Sequence, residues 1–150
     1  MARALCRSFG TLSGAVAYEI RGPLASGAIV SCHCSRCRRG KAAVHGSNLF
    51  VDERLFAWLR GDERLVTYRV PETRHSQTFC ADCGGIVPAA SASPAGFRTV
   101  PCGSLDDDPG VREGPHIQVA SKASWFEPPA GTEQASAYPT SAGFPPVARG

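Results

Sequence analysis

Three cysteines fall within one short run, Cys32-His33-Cys34-Ser35-Arg36-Cys37. Thiolates are soft donors that suit a tetrahedral zinc ion, at about 2.3 Å per Zn–S bond. In an extended segment, residues i and i+2 point to the same side, so Cys32 and Cys34 offer their sulfurs on one face while His33 points away. The chain can then turn through Ser35-Arg36 and bring Cys37 back to the same ion. Three protein ligands leave one position of a tetrahedron open, which is the arrangement of catalytic rather than closed structural zinc. Cys32, Cys34 and Cys37 are therefore the expected ligands of a Zn²⁺ ion that does chemistry.

A second pair lies in Cys80-Ala81-Asp82-Cys83-Gly84-Gly85. Cys-x-x-Cys followed by glycine makes a zinc knuckle, because glycine accepts the backbone angles that turn amide N–H groups toward the sulfurs. A redox dithiol is the competing reading, but it expects a βαβ setting that this pattern lacks. The pair can form its own metal site, or it can join members of the first cluster in a single structural zinc. Cys6 and Cys102 stand alone, and the default for each is a small core or surface thiol.

Cations surround the first cluster: Arg36, Arg38, Arg39 and Lys41 follow or interleave it, and Arg74 precedes the second pair. Any of them can hold the carboxylates of an anionic substrate, and Arg38 is the first choice because it directly follows a ligand. His33, His45, His75 and His116 have no partner visible in the sequence, so ordinary core or surface roles are expected of them. Asp106-Asp107-Asp108 precedes Pro109-Gly110 and reads as a turn rather than a cation site.

The elements that must position these residues are mostly strands. Val16, Tyr18 and Ile20 alternate with Ala17 and Glu19, the period of a half-buried strand, which ends at Gly22-Pro23. Leu24 to Ser31 reads as a strand leading into the cysteines, Arg36 to Ala43 as a short helical turn and Asn48 to Val51 as a strand. Phe56, Trp58 and Leu59 belong to a strand stopped by Gly61-Asp62, and Leu65–Val70 with Ser76–Phe79 makes a hairpin pair. Phe97–Cys102 and His116–Ala120 complete the set. From Pro128 onward Pro, Ala, Gly and Ser dominate, and residues 128–150 are expected to be an irregular tail to a single domain spanning 8–127. The fold class is mostly β, in keeping with 16 Gly, 12 Pro and a single Met among 150 residues.

Composition excludes some functions. No stretch approaches the roughly 18–20 apolar residues of a membrane span, so no membrane partner is expected. A net charge of +3 is too small to mark a nucleic-acid binder by itself. Seven cysteines behind an N-terminus without the apolar run of a secretory signal point to a reducing, cytoplasmic setting.

Five motifs occur in order: Gly14-Ala15-Val16-Ala17-Tyr18-Glu19, the cysteine run at 32–38, Phe79-Cys80-Ala81-Asp82-Cys83-Gly84, Gly103-Ser104-Leu105-Asp106-Asp107 and Ser121-Lys122-Ala123-Ser124-Trp125. Together they resemble the glutathione-dependent formaldehyde-activating enzyme family, which includes centromere protein V. The resemblance implies a β-tent fold of small antiparallel sheets with two zinc sites. The catalytic site carries over to Cys32, Cys34 and Cys37. The structural site should join an early Cys-x-Cys to Cys80 and Cys83, but Thr11 and Ser13 occupy the early positions. Hydroxyls are poor zinc ligands beside thiolates, so this second site is expected to be degraded. The implied reaction is formation of S-(hydroxymethyl)glutathione from glutathione and formaldehyde, formally a carbon–sulfur lyase running in reverse, with a small glutathione-like thiol as partner. The rival is a non-catalytic zinc module whose basic run Arg36 to Lys41 binds protein or nucleic acid, although no aromatic side chain is interleaved there to stack on bases.

Overall fold

The structure, a computed structural model, describes the backbone of residues 6–22 and 27–138, and side chains from residue 9 onward within those ranges. The chain runs β1 (Cys6–Gly10), β2 (Ala17–Arg21), β3 (Ile29–Cys32), α1 (Ser35–Lys41), β4 (Gly46–Asp52), β5 (Phe56–Arg60), β6 (Leu65–Arg69), β7 (Ser76–Cys80), β8 (Ile86–Val87), β9 (Phe97–Pro101), β10 (Glu113–Ile117) and β11 (Gln134–Ala135). These strands form three small sheets, ordered β1-β2-β5, β11-β10-β3-β4-β9 and β6-β7-β8. The mostly β class expected from the sequence is what the chain adopts. No described helix is long and apolar enough to cross a membrane.

The central sheet is mixed rather than antiparallel. β3 and β4 pair antiparallel, as do β4 and β9, but β10 returns beside β3 in parallel and β11 lies parallel to β10. β11 falls in the segment expected to be an irregular tail, so the sheet draws in two residues beyond 127, while residues 139–150 lie outside those described. The expected strand from Leu24 begins only at Ile29, and Leu24, Ala25 and Ser26 lie outside the described residues. The strand expected at His116–Ala120 sits three residues earlier, and Val119–Ser121 closes instead into a 3₁₀ turn after Gln118, whose φ is +57°.

One face of the central sheet packs on β1-β2-β5. Leu49, Val51 and Val100 meet Phe9, Tyr18 and Ile20 there, all essentially inaccessible to water. Tyr18 is the hub, with ring centroids 5.2 Å from Phe9, 5.3 Å from Phe56 and 5.9 Å from Trp58. Its hydroxyl lies 2.6 Å from Ser104 Oγ, and Ser104 gives its own hydrogen to the Pro101 carbonyl at 2.7 Å, so Tyr18 must be the donor. Arg98, 4% exposed, spreads its guanidinium 4.2 Å above the Phe56 ring and donates to Glu53 and to the carbonyls of Ala89 and Ala90. That fan of bonds fixes the loop walling the sheet's other face.

Gly61 closes the end of the first sheet, where the exit from β5 comes close to the residues that lead into β2. Its φ is +77°, and a Cβ there would lie 2.1 Å from the Ala15 carbonyl oxygen and 2.9 Å from Val16 Cα. Gly96, at φ +82°, faces open space. Gly96→Ala should therefore cost only the left-handed backbone penalty of about 1 kcal/mol, whereas Gly61→Ala must also displace backbone and should cost more than about 2 kcal/mol. Urea midpoints of the two variants check this: equal shifts would mean that the Gly61 contact is easily relieved.

Candidate metal centre and cavity

The first cysteine cluster forms where β3 runs into α1. Cys32 is the last residue of β3, and Cys34, still extended at φ −61° and ψ 151°, caps the helix. Its Sγ accepts the Cys37 N–H at 3.3 Å, which folds Cys37 back toward Cys32 and Cys34. The three sulfurs lie within 4.8 Å of one another. A zinc tetrahedron with 2.3 Å bonds spaces its sulfurs about 3.8 Å apart, so small side-chain adjustments suffice to close the site.

The electrostatics fit a cation in the same place. Hydrogen bonds from Cys32 and then Cys37, with the N–H groups of Cys37 and Arg36 behind them, hold the Cys34 thiol down at about 2. The bond to Cys34 pushes Cys32 up to about 11, and the bonds to Cys32 and Cys34 push Cys37 far above the usual thiol range. Ionisation of one thiol thus opposes ionisation of the other two. Ionising all three needs a positive charge among them, which a divalent ion supplies.

Cys32 and Cys37 open into a cavity of about 970 Å³ between the central sheet and the β6-β7 hairpin. Val30, Phe50 and Ile117 give it an apolar floor, and Lys41, Arg69 and Arg74 bring positive charge to it. The helix explains which cation reaches the cavity. Cys37 and Lys41 are four residues apart and share a face of α1, while Arg38 lies about 100° around the axis. Arg38 does not line the cavity; its Nε donates to the His33 carbonyl at 3.3 Å. Arg36 and Arg39 are exposed. Burial lowers the Lys41 ammonium from its ordinary value, and the same desolvation lowers the His75 imidazole, which also lines the cavity.

The second cysteine pair meets the loop that the sequence marked as its partner. Ser13 Oγ lies 4.0 Å from Cys80 Sγ, and a Cβ on Gly85 would lie 3.3 Å from Cys83 Sγ and 3.5 Å from Thr11 Cβ. The four positions converge, but two carry hydroxyls. The Thr11 hydroxyl is already engaged, accepting the Val16 N–H at 3.3 Å. The Ser13 hydroxyl, then the Gly85 N–H, hold the half-buried Cys83 thiol down at about 7. This donor set does not suit a tightly held zinc. Nor do Cys80 and Cys83 join the first cluster: among the described residues, the groups able to share an ion are Cys32-Cys34-Cys37 and His45-Glu113-His116. Cys102 packs against the Tyr18 core, where burial pushes its thiol up to about 12, and the side chain of Cys6 lies outside those described.

Three of the four histidines, expected to play unconnected roles, come together on the face of β3 opposite the thiolates. Ring centroids of His33 lie 5.0 Å from His116 and 5.1 Å from His45, and Phe126 stacks on His33 at 5.5 Å. Burial, then the neighbouring His45 and His116, hold His33 down at about 4. Only the alternation of Cys32, His33 and Cys34 hinted at this placement; nothing in the spacing of positions 33, 45 and 116 does.

The sequence profile described as glutathione-dependent formaldehyde-activating enzyme matches residues 8–121. A crystal structure of a Rhodobacter sphaeroides protein is similar at a TM-score of 0.54, covering 71% of this chain and 98% of that one at 22% identity, which shows a shared fold. No curated protein matches the chain significantly.

Replacing Thr11 and Ser13 together by cysteine should rebuild a four-thiolate site with Cys80 and Cys83. Elemental analysis after dialysis is expected to find one more zinc per chain in the double variant than in the parent. An unchanged count would mean that the four positions do not converge closely enough.

Proposed function

The chain belongs to the glutathione-dependent formaldehyde-activating enzyme family, and on that premise we propose that it joins formaldehyde to a small anionic thiol of the glutathione kind, with zinc on Cys32, Cys34 and Cys37. The observation that carries this reading is the opening of Cys32 and Cys37 into a cation-rimmed cavity. The reaction forms one S–C bond, converts the carbonyl π bond to a hydroxyl, and moves the thiol proton to the former carbonyl oxygen. Zinc, when bound, would lower the pKa of an incoming thiol and polarise a carbonyl oxygen.

The chain's own residues account for selection and positioning. Glutathione carries two carboxylates, and Lys41, Arg69 and Arg74 offer cations around one cavity to receive them. The volume of about 970 Å³ is at the upper end for a small-molecule site and admits a tripeptide together with a one-carbon aldehyde. The apolar floor of Val30, Phe50 and Ile117 limits water beside the reacting carbon. His75, whose imidazole burial lowers from its ordinary value, lines the same cavity and can take the thiol proton and return it to the product oxygen.

Exchange between free formaldehyde and its glutathione adduct, followed by NMR at equilibrium, should quicken with zinc-loaded protein and not with the Cys34→Ser variant. A rate no faster than the spontaneous one would sink formaldehyde activation for this chain. Glutathione binding should weaken as salt rises, because the exposed Arg69 and Arg74 charges are screened beyond about 8 Å at physiological ionic strength. Arg74→Ala should weaken it by about 0.5–1 kcal/mol, the range of an exposed ion pair, and Arg38→Ala by less. Titration calorimetry reads both, and a larger loss in Arg38→Ala would move the carboxylate site to the other side of α1.

A further inference from the structure

On the face of β3 that turns away from the thiolates, we propose a second metal site, in which His45, His116 and Glu113 hold a first-row divalent ion such as zinc. One ligand atom from each lies within 4.8 Å of the others. His116 is completely buried, yet its Nε2 has no hydrogen-bond partner. That nitrogen is 3.2 Å from Glu113 Oε1 but lacks the alignment of a hydrogen bond. Two donor atoms side by side, not pointing at each other, are what adjacent ligands of one ion look like.

The backbone makes the arrangement. Glu113 pairs with Ile29 and His116 with Ser31, so β10 carries one extra residue between them. In a regular strand, residues three apart face opposite ways. The bulge, at Gly114-Pro115, turns Glu113 and His116 to the same side. His45 arrives from the residue just before β4.

Each ligand also has an outer partner. The Ser31 hydroxyl donates to Glu113 Oε1 at 3.1 Å. His116 Nδ1 is 2.7 Å from His33 Nε2, and His45 Nδ1 is 3.1 Å from Ser47 Oγ. With both ligand histidines bound through Nε2, their Nδ1–H groups donate to His33 and to Ser47. Metal-bound histidines characteristically direct their second nitrogen in this way, which fixes tautomer and ring orientation. Imidazole with carboxylate suits zinc, cobalt or nickel, and a site of three protein ligands leaves room for water or a small anion. Glu113 is half-exposed, so an ion can enter from solvent.

Cobalt(II) separates the two centres, because thiolate ligands add an intense near-ultraviolet charge-transfer band that nitrogen and oxygen ligands do not. The full-length Cys34→Ser variant should still bind cobalt with visible d–d absorption but without the thiolate band. Adding Glu113→Gln or His45→Ala to that variant should weaken this binding at least tenfold, while either change made in the parent chain should leave the thiolate band intact. Both replaced side chains are at least partly exposed, and circular dichroism checks that the variants fold. The proposal is overturned if the Cys34→Ser variant binds no cobalt, or if both added substitutions leave its affinity unchanged; the buried histidines would then form a hydrogen-bonded prop only. A cobalt-loaded parent chain that shows the d–d site but no thiolate band would instead count against the cysteine centre.

Discussion

Successive side chains of a strand leave opposite faces of its sheet. In β3 that geometry sends Val30 and Cys32 to the cavity, and Ser31 and then His33 to the core side. A slip of one residue would exchange the two sets. The register is held from both sides, by antiparallel β4 through Val30–Asn48 and Cys32–Gly46, and by parallel β10 through His116–Ser31. The His33 N–H continues the ladder past the strand's end, donating to the Ile117 carbonyl at 2.9 Å. A parallel pair needs a long connection, and His33 and His116 are 83 positions apart. The thiolate cluster is local in sequence, whereas the histidine cluster exists only after β10 has returned.

The corner around Cys80 is held differently from a four-thiolate zinc knuckle. Val16, Cys80 and Val87 form a buried cluster backed by Trp58 and Leu65. Each valine contributes about 1.5–3 kcal/mol by leaving water. Thr11 and Ser13 supply hydroxyl bonds to Val16 and Ala15 that shape the turn. The Gly61 approach to Ala15 seats that turn against the rest. Apolar packing and backbone contact thus do, in this corner, what a structural ion does with four sulfurs.

Much of this was legible in the sequence because it depends on short periods. The alternation around Tyr18 marked β2, the Leu65–Val70 and Ser76–Phe79 runs marked a hairpin, and the cysteine spacing marked the thiolate cluster. What stayed hidden depends on distant or irregular pairing. Pro115 and the bulge disguised β10, so its strand was expected too late in the chain. The two-residue β11 shows no period at all. Arg38 directly follows a cysteine along the chain, but helical geometry brings Lys41 rather than Arg38 to the cavity. Beyond the alternation that turned His33 away from the cysteines, the histidines gave no signal, because the fold and not their spacing brings them together.

The proposed function rests on Cys32, Cys34 and Cys37 holding a zinc ion that would keep a position free for a substrate sulfur. X-ray absorption at the zinc edge, on protein carrying one equivalent of zinc in the Glu113→Gln background, reads it directly. The account predicts a shell of about three sulfurs near 2.3 Å that rises to about four when glutathione is added. A sulfur count that is already four without glutathione, or that stays at three with it bound, would contradict an open position that takes the thiol.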